Sequence, residues 1–151
     1  MIEQIPDASL TASSVWMDLA DHGPKRSRFT VVADEIGEGA WSSWQLDANQ
    51  WIQAEFMTVK NVFKVATKGK NEDRSLFQWV TRYQLKYGIS STQADFEYVT
   101  SADGEIISFD GNNDRDSIVE NEFPTVLAKF IRLNPIGWHQ YISMRWEVYG
   151  C

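Results

Sequence analysis

Residues 141–150 read YISMRWEVYG, and within them Ile142, Met144, Trp146 and Val148 alternate with Ser143, Arg145, Glu147 and Tyr149. A period of two is the pattern of a strand with one buried and one polar face. The same pattern recurs upstream. In VTRYQLKYG (80–88), Tyr83, Leu85 and Tyr87 alternate with Arg82, Gln84 and Lys86; in WIQAEF (51–56), Ile52, Ala54 and Phe56 share a face. LTASSVW (10–16), RSRFTVV (26–32), NVFKVAT (61–67), DFEYVT (95–100), EIISFDG (105–111) and AKFIRLNP (128–135) read as further short strands, with SADG (101–104) as a turn between two of them. Helical periodicity is scarce; one turn near FPTVLA (123–128) is the most the pattern supports. The spacing predicts an all-β chain of antiparallel sheets packed face to face, forming one domain over residues 1–151. Its core is expected to hold Ile52, Phe56, Val65, Tyr83, Leu85, Phe130, Ile131, Met144, Trp146 and Val148.

Composition narrows the function classes. Aromatic residues make up 13% of the chain, with seven Trp, which suits pleated, half-buried surfaces. The net charge of -7 lacks the basic footprint of a nucleic-acid binder and weakens purely electrostatic docking on an anionic membrane. No apolar run reaches bilayer-spanning length. The two histidines, His22 and His139, have no metal-ligand or triad spacing around them, and GEGAWSSW (37–44) lacks the strand–turn–helix context of a nucleophile elbow. No catalytic residues, cofactor or metal are therefore expected. Asp34, Glu35, Glu38 and Asp47 offer oxygen ligands, but not at EF-hand spacing.

Three stretches read as exposed loops of unusual content: WMDLADHGPK (16–25), KGKNEDRSLFQ (68–78) and DGNNDRDS (110–117). A sugar site needs planar donors and acceptors for hydroxyls and an aromatic face for the C–H side of the ring. The candidate ligand-binding residues are Trp16, Met17, Leu19 and His22 from the first loop, with Lys70, Asn71, Asp73, Arg74, Leu76 and Phe77 from the second. Basic residues beside apolar ones also fit phospholipid, although Glu72 and Asp73 cancel part of that charge. Loops at one end of a sandwich cluster, so Trp16, Arg74 and Phe77 are expected on one contact surface.

Taken together, IPDASLTASS (5–14), RSRF (26–29), GAWSSWQLDANQWIQAEF (39–56), VFKVATKG (62–69), FQWVTRYQLKYG (77–88), FDGNNDRDSIVENEF (109–123) and the closing AKFIRLNPIGWHQYISMRWEVYGC (128–151) resemble, in order and spacing, the discoidin domain, also called the coagulation factor 5/8 type C domain. The resemblance implies an eight-stranded antiparallel jelly-roll β-sandwich of the galactose-binding-like type. It implies a non-catalytic recognition module of adhesion proteins, extracellular or on the cell surface, within a larger multidomain protein. Its partners are then a glycan or glycoprotein, as for a lectin, or a phospholipid membrane surface met through apolar loop tips. It also implies structural roles for Arg28 and Arg145 and an architectural role for GNND. Most animal members pair the closing cysteine with one ahead of the segment that begins here at Ile5. Cys151, the only cysteine, thus reads as half of a disulfide lost from a cut domain, or as that of a member without the bridge.

Overall fold

The computed structural model describes residues 1–72 and 75–151. It contains eight strands: β1 (Leu10–Ala12), β2 (Trp41–Ser42), β3 (Ile52–Lys68), β4 (Trp79–Gly88), β5 (Glu97–Tyr98), β6 (Phe109–Asp110), β7 (Val119–His139) and β8 (Ser143–Gly150). All pairings between strands are antiparallel, in the order β2-β8-β3-β7-β4-β5, with β1 beside β3 and β6 beside β4. This is the jelly-roll sandwich. The long strands β3 and β7 each serve two stretches of the ladder. Ile52 to Glu55 pairs with Leu133 to Phe130, the register shifts between Glu55 and Lys60, and the second half of β3 runs between β7 and β8. A bulge of this kind bends the strand and lets one chain segment turn a corner.

The alternating residues land where period two sends them. Ile52, Leu133 and Leu85 form one cross-strand row, all fully buried, and all ten expected core residues are buried. Phe130 is buried on the outer side, where it packs against Phe96 with ring centroids 5.7 Å apart. WIQAEF and NVFKVAT fuse into one strand, and AKFIRLNP continues through the PIGWH segment as part of β7.

Three expectations are corrected. RSRFTVV is not a strand: Pro24–Ser27 is a 3-10 turn and only Arg28 forms a bridge, with Trp146. Side chains hold this segment instead. Arg28 donates to the carbonyls of Ile2 and Ile5 and to Asp7, while Arg26 donates to the carbonyls of Glu38, Val32 and Gly37. FPTVLA is not a turn but the interior of β7; Pro124 sits where the pairing with β3 shifts register, so no ladder bond needs its missing N–H. Finally, β8 is not half-buried, because Ser143 through Val148 are all buried.

From Ser143 to Glu147 the polar face of β8 is covered by the rest of the chain, and the side chains of Ser143, Arg145 and Glu147 are all paired. The Ser143 hydroxyl contacts that of Ser42 at 2.6 Å and donates to Gln78 Oε1 at 2.8 Å. Arg145 donates to the carbonyls of Gly69, Val31 and Arg115 and to Asp116 Oδ1. Glu147 accepts from the Met1 ammonium and from the Ile2 and Val148 N–H groups. Burial holds the Arg145 guanidinium below its ordinary pKa, and the Asp116 carboxylate partly offsets this. The structural role implied for Arg145 follows from that geometry: one side chain ties β8 to three loops.

Candidate functional site

Lys70, next to the Gly69 carbonyl that Arg145 holds, lines a cavity of about 280 Å³. Trp16 and His22 enter it from the first loop, with ring centroids 4.7 Å apart and planes tilted by 38°. Trp44 meets the far side of Trp16 edge-on at 6.3 Å. The turn that presents Trp16 is strained: Met17 and Asp18 have φ of 48° and 56°, the left-handed region that non-glycine residues avoid. Such strain persists only where surrounding structure fixes it.

A run of polar contacts starts from His22. His22 Nδ1 is 2.8 Å from Asp21 Oδ1, and its Nε2 lies 4.0 Å from Glu38 Oε1. Glu38 Oε2 is 3.1 Å from Lys70 Nζ, and Lys70 is only 3% exposed. The loops carrying Glu38 and Lys70 meet backbone to backbone, Asn71 N–H donating to the Gly39 carbonyl at 3.0 Å. A Cβ on residue 39 would fall 1.8 Å from the Asn71 carbonyl oxygen, so glycine is what permits this approach.

Gln78 and Ser42 complete the floor and Tyr141 the rim. Gln78 accepts from Ser143, and its amide nitrogen has no partner among the described residues. Lys70 likewise has only Glu38 as a partner among them, which leaves two of its three N–H directions unused. Tyr141 donates to the Trp44 carbonyl, and burial pushes its phenol above the ordinary tyrosine pKa. The result is an aromatic wall facing fixed donors and acceptors. It can take a small polar molecule that has one apolar face.

Of the sequence candidates, Trp16, His22, Lys70 and Leu76 come together here. Met17 and Leu19 stay outside, 53% and 44% exposed. Asn71 is architectural: its Oδ1 accepts from Ala33 N–H and its Nδ2 donates to Asp116. Phe77 lines a neighbouring cavity, so the expected single surface with Trp16 is divided. Asp73 and Arg74 lie outside the described residues. Asn112 donates to the carbonyls of Thr67 and Ser117, which is an architectural role. His139 ends β7, exposed and stacked on Trp79. Among the described residues no three His, Cys, Asp or Glu side chains converge as metal ligands; Asp34 and Asp47 instead accept from their own turns. Cys151 is exposed, and its backbone exchanges hydrogen bonds with Asn61.

Sequence reading missed Ser42, Gln78 and Tyr141, and named Glu38 only as a possible oxygen ligand for a metal. The available signal was the family's loop-end clustering, which also brings residues 37–44 and the turn before β8 to this end.

An antiparallel jelly roll of this topology is a galactose-binding-like fold. The chain belongs to the F5/8 type C domain family, whose profile matches residues 9–148. It is 38% identical over 137 residues to discoidin-2 of Dictyostelium discoideum, covering 87% of this chain and 50% of that one. It is 34% identical over 113 residues to mouse (Mus musculus) retinoschisin, covering 74% and 49%. The solved structure of wild-type discoidin II from Dictyostelium discoideum superposes with a TM-score of 0.78 at 34% identity, over 93% of this chain and 53% of that one. The chain thus spans about half the length of these relatives.

Proposed function

We propose that this chain is a non-catalytic recognition domain that binds a glycan, free or on a glycoprotein, in the Trp16 pocket. In this reading it serves adhesion at the cell surface or outside the cell, as one domain of a larger protein. The observation that carries the reading is the pairing of the Trp16–His22 wall with the partly unpaired donors of Lys70 and Gln78 in one cavity. A sugar ring has an apolar C–H face that lies on an aromatic ring, while its hydroxyls exchange hydrogen bonds in the ring plane. The family match and the likeness to discoidin-2 support it.

A second reading is favoured by one specific observation. Met17, Leu19 and Trp44 are 53%, 44% and 44% exposed at the same end of the molecule. Apolar tips of this kind also suit insertion into the interface of a phospholipid membrane.

A glycan array beside co-sedimentation with vesicles of phosphatidylcholine, with and without phosphatidylserine, separates the two. Under the glycan reading Trp16→Ala, Gln78→Ala and Arg74→Ala weaken the best array sugar and Leu19→Ala does not. Vesicle binding that depends on Leu19, with no array glycan bound, overturns the glycan reading in favour of the membrane.

A further inference from the structure

Four consecutive residues divide two cavities between them. Leu76 and Gln78 line the Trp16 pocket, whereas Phe77 and Trp79 line a second cavity of about 330 Å³ closed by the 114–117 loop. Extended backbone sends successive side chains to opposite faces, and Trp79 is already the first residue of β4. The two cavities are therefore lined from alternate positions of the segment that leads into β4.

The second cavity has its own built wall. Trp79 and His139 are cross-strand partners, with ring centroids 4.3 Å apart and planes within 10° of parallel. The stack fixes the orientation of the indole beside the cavity. A Cβ on residue 69 would lie 2.9 Å from Trp79 Cβ and 3.0 Å from Arg115 Cα, so Gly69 lets the 114–117 loop close against the tryptophan. Phe77 is 42% exposed and carries the Arg115 guanidinium over its ring at 4.6 Å.

The polar side is equally fixed. Asp114 accepts from the N–H groups of Asp116 and Ser117 and from the Ser117 hydroxyl. Asp116 Oδ1 accepts from Asn71 and Arg145, and Arg115 donates to the carbonyls of Glu72 and Leu76. Among the described residues the polar lining is thus Asp114, Arg115, Asp116 and Ser117, each held in place by hydrogen bonds. Ionised carboxylates have about four lone-pair sites each, which leaves acceptor capacity toward the cavity. Aromatic rings beside positioned acceptors suit a sugar unit, whose C–H face lies on a ring while its hydroxyls donate.

The geometry points to a second sugar subsite here, and so to an oligosaccharide that crosses residues 76–79 as the ligand class, rather than a single terminal unit. This rests on the carbohydrate reading of the Trp16 pocket. Each cavity lies near the lower end of the size range of small-molecule sites, about 300 Å³, which matches one ring apiece.

The test uses an array running from monosaccharides to tetrasaccharides, followed by calorimetric titration of the best oligosaccharide and of its constituent monosaccharides. The variants are Trp16→Ala, Phe77→Ala and Trp79→Leu, each checked by thermal melting; Phe77 is exposed enough that its variant keeps the fold. The natural protein is expected to favour the oligosaccharide. Phe77→Ala and Trp79→Leu are expected to reduce oligosaccharide affinity about five- to tenfold more than monosaccharide affinity, the size of one aromatic contact. If Trp16→Ala abolishes sugar binding while Phe77→Ala leaves the oligosaccharide unchanged, the second subsite falls and the carbohydrate reading stands. If the natural protein binds no array glycan, both fall.

Discussion

Strand β8 and the Trp16 pocket bury the same kinds of group and use them differently. Arg145 in β8 and Lys70 in the pocket are each 3% exposed. Arg145 has four acceptors, three of them carbonyls in different loops. Lys70 has one partner among the described residues and faces a cavity. A buried charge with all its hydrogen bonds made fixes structure, because any rearrangement leaves carbonyls unpaired. A buried charge with donors left over can take a further acceptor, which is why the proposed site is placed beside it. Burial does not separate scaffold from candidate site, and neither does unused capacity alone, since Asn112 Oδ1 and Arg132 Nη2 also lack a partner among the described residues; what sets Lys70 apart is unused capacity that faces a cavity.

The strongest way to break this comparison is to attack β8. Trp146→Ala removes a fully buried indole, whose N–H donates to Ser27, and is expected to cost about 3–5 kcal/mol in urea unfolding. Arg145→Ala is expected to cost about 3 kcal/mol, by leaving the Gly69, Val31 and Arg115 carbonyls without their donor. A loss below about 1 kcal/mol for Arg145→Ala means that the polar face of β8 is not scaffold.

Much of this scaffold was legible and much of the site was not, for a physical reason. Period-two alternation is local, so Ile52, Tyr83, Leu85 and Trp146 declared their faces from neighbours alone. The burial of Arg145 and Glu147 was not local, because loops 31–33, 69–71 and 115–116 and the first residues cover them. RSRFTVV misled because β-forming residues sit in a segment held by Arg26 and Arg28 side chains rather than by a ladder. FPTVLA misled because Pro124 marks a register shift as readily as a turn. Within the site, Trp16, His22, Lys70 and Leu76 could be named because they lie in loops of odd composition. Glu38 with Ser42, Gln78, and Tyr141 come from three separate segments, and only the tertiary fold brings them together.

Tyrosines sharpen the comparison next. Tyr83 lies in the core, its phenol pushed up to about 12 by burial, although the hydrogen bond from Asn121 pulls the other way. A raised tyrosine pKa means that the folded state holds its proton while the unfolded state gives it up. That contribution is complete below about pH 10 and is lost as pH rises to about 12, a difference of about 2–3 kcal/mol. Urea unfolding across this range, for the natural protein and for Tyr83→Phe, checks it: the substitution should remove that part of the alkaline slope. Tyr141 at the pocket is raised by burial too, yet it is reached by solvent. Its phenolate signal should appear before the fold opens, and that of Tyr83 only with it.

A smaller effect separates the pocket from its supports. Trp16→Ala should weaken the best array sugar by about tenfold, on the order of 1.4 kcal/mol. It should leave the urea midpoint far closer to the natural value than Arg145→Ala does, since Trp16 is only partly buried. Equal losses of stability from the two variants would erase the distinction between used and unused groups.

The least effect belongs to acid, and it falls on the loops. Asp34 is held below the ordinary aspartate pKa first by the Ile36 N–H, then by the Gly37 N–H and Arg26; Asp114 is held low first by the Ser117 hydroxyl, then by its N–H. A lowered carboxylate pKa gives stability that is present above the unfolded value of about 3.9 and lost as pH falls through the folded one. Both carboxylates are solvent-exposed, so screening keeps their effect on global stability small. The local effect is sharper, because each carboxylate organises one turn beside a cavity. Amide exchange at Gly37 and Ser117, followed from pH 5 down to about pH 2 and corrected for intrinsic rates, should accelerate relative to Val148 and Trp146. Those β8 amides belong to a strand buried on both faces. Should the β8 amides lose protection together with Gly37 and Ser117, the loops and the strand open as one unit, and the division between scaffold and site does not extend to their dynamics.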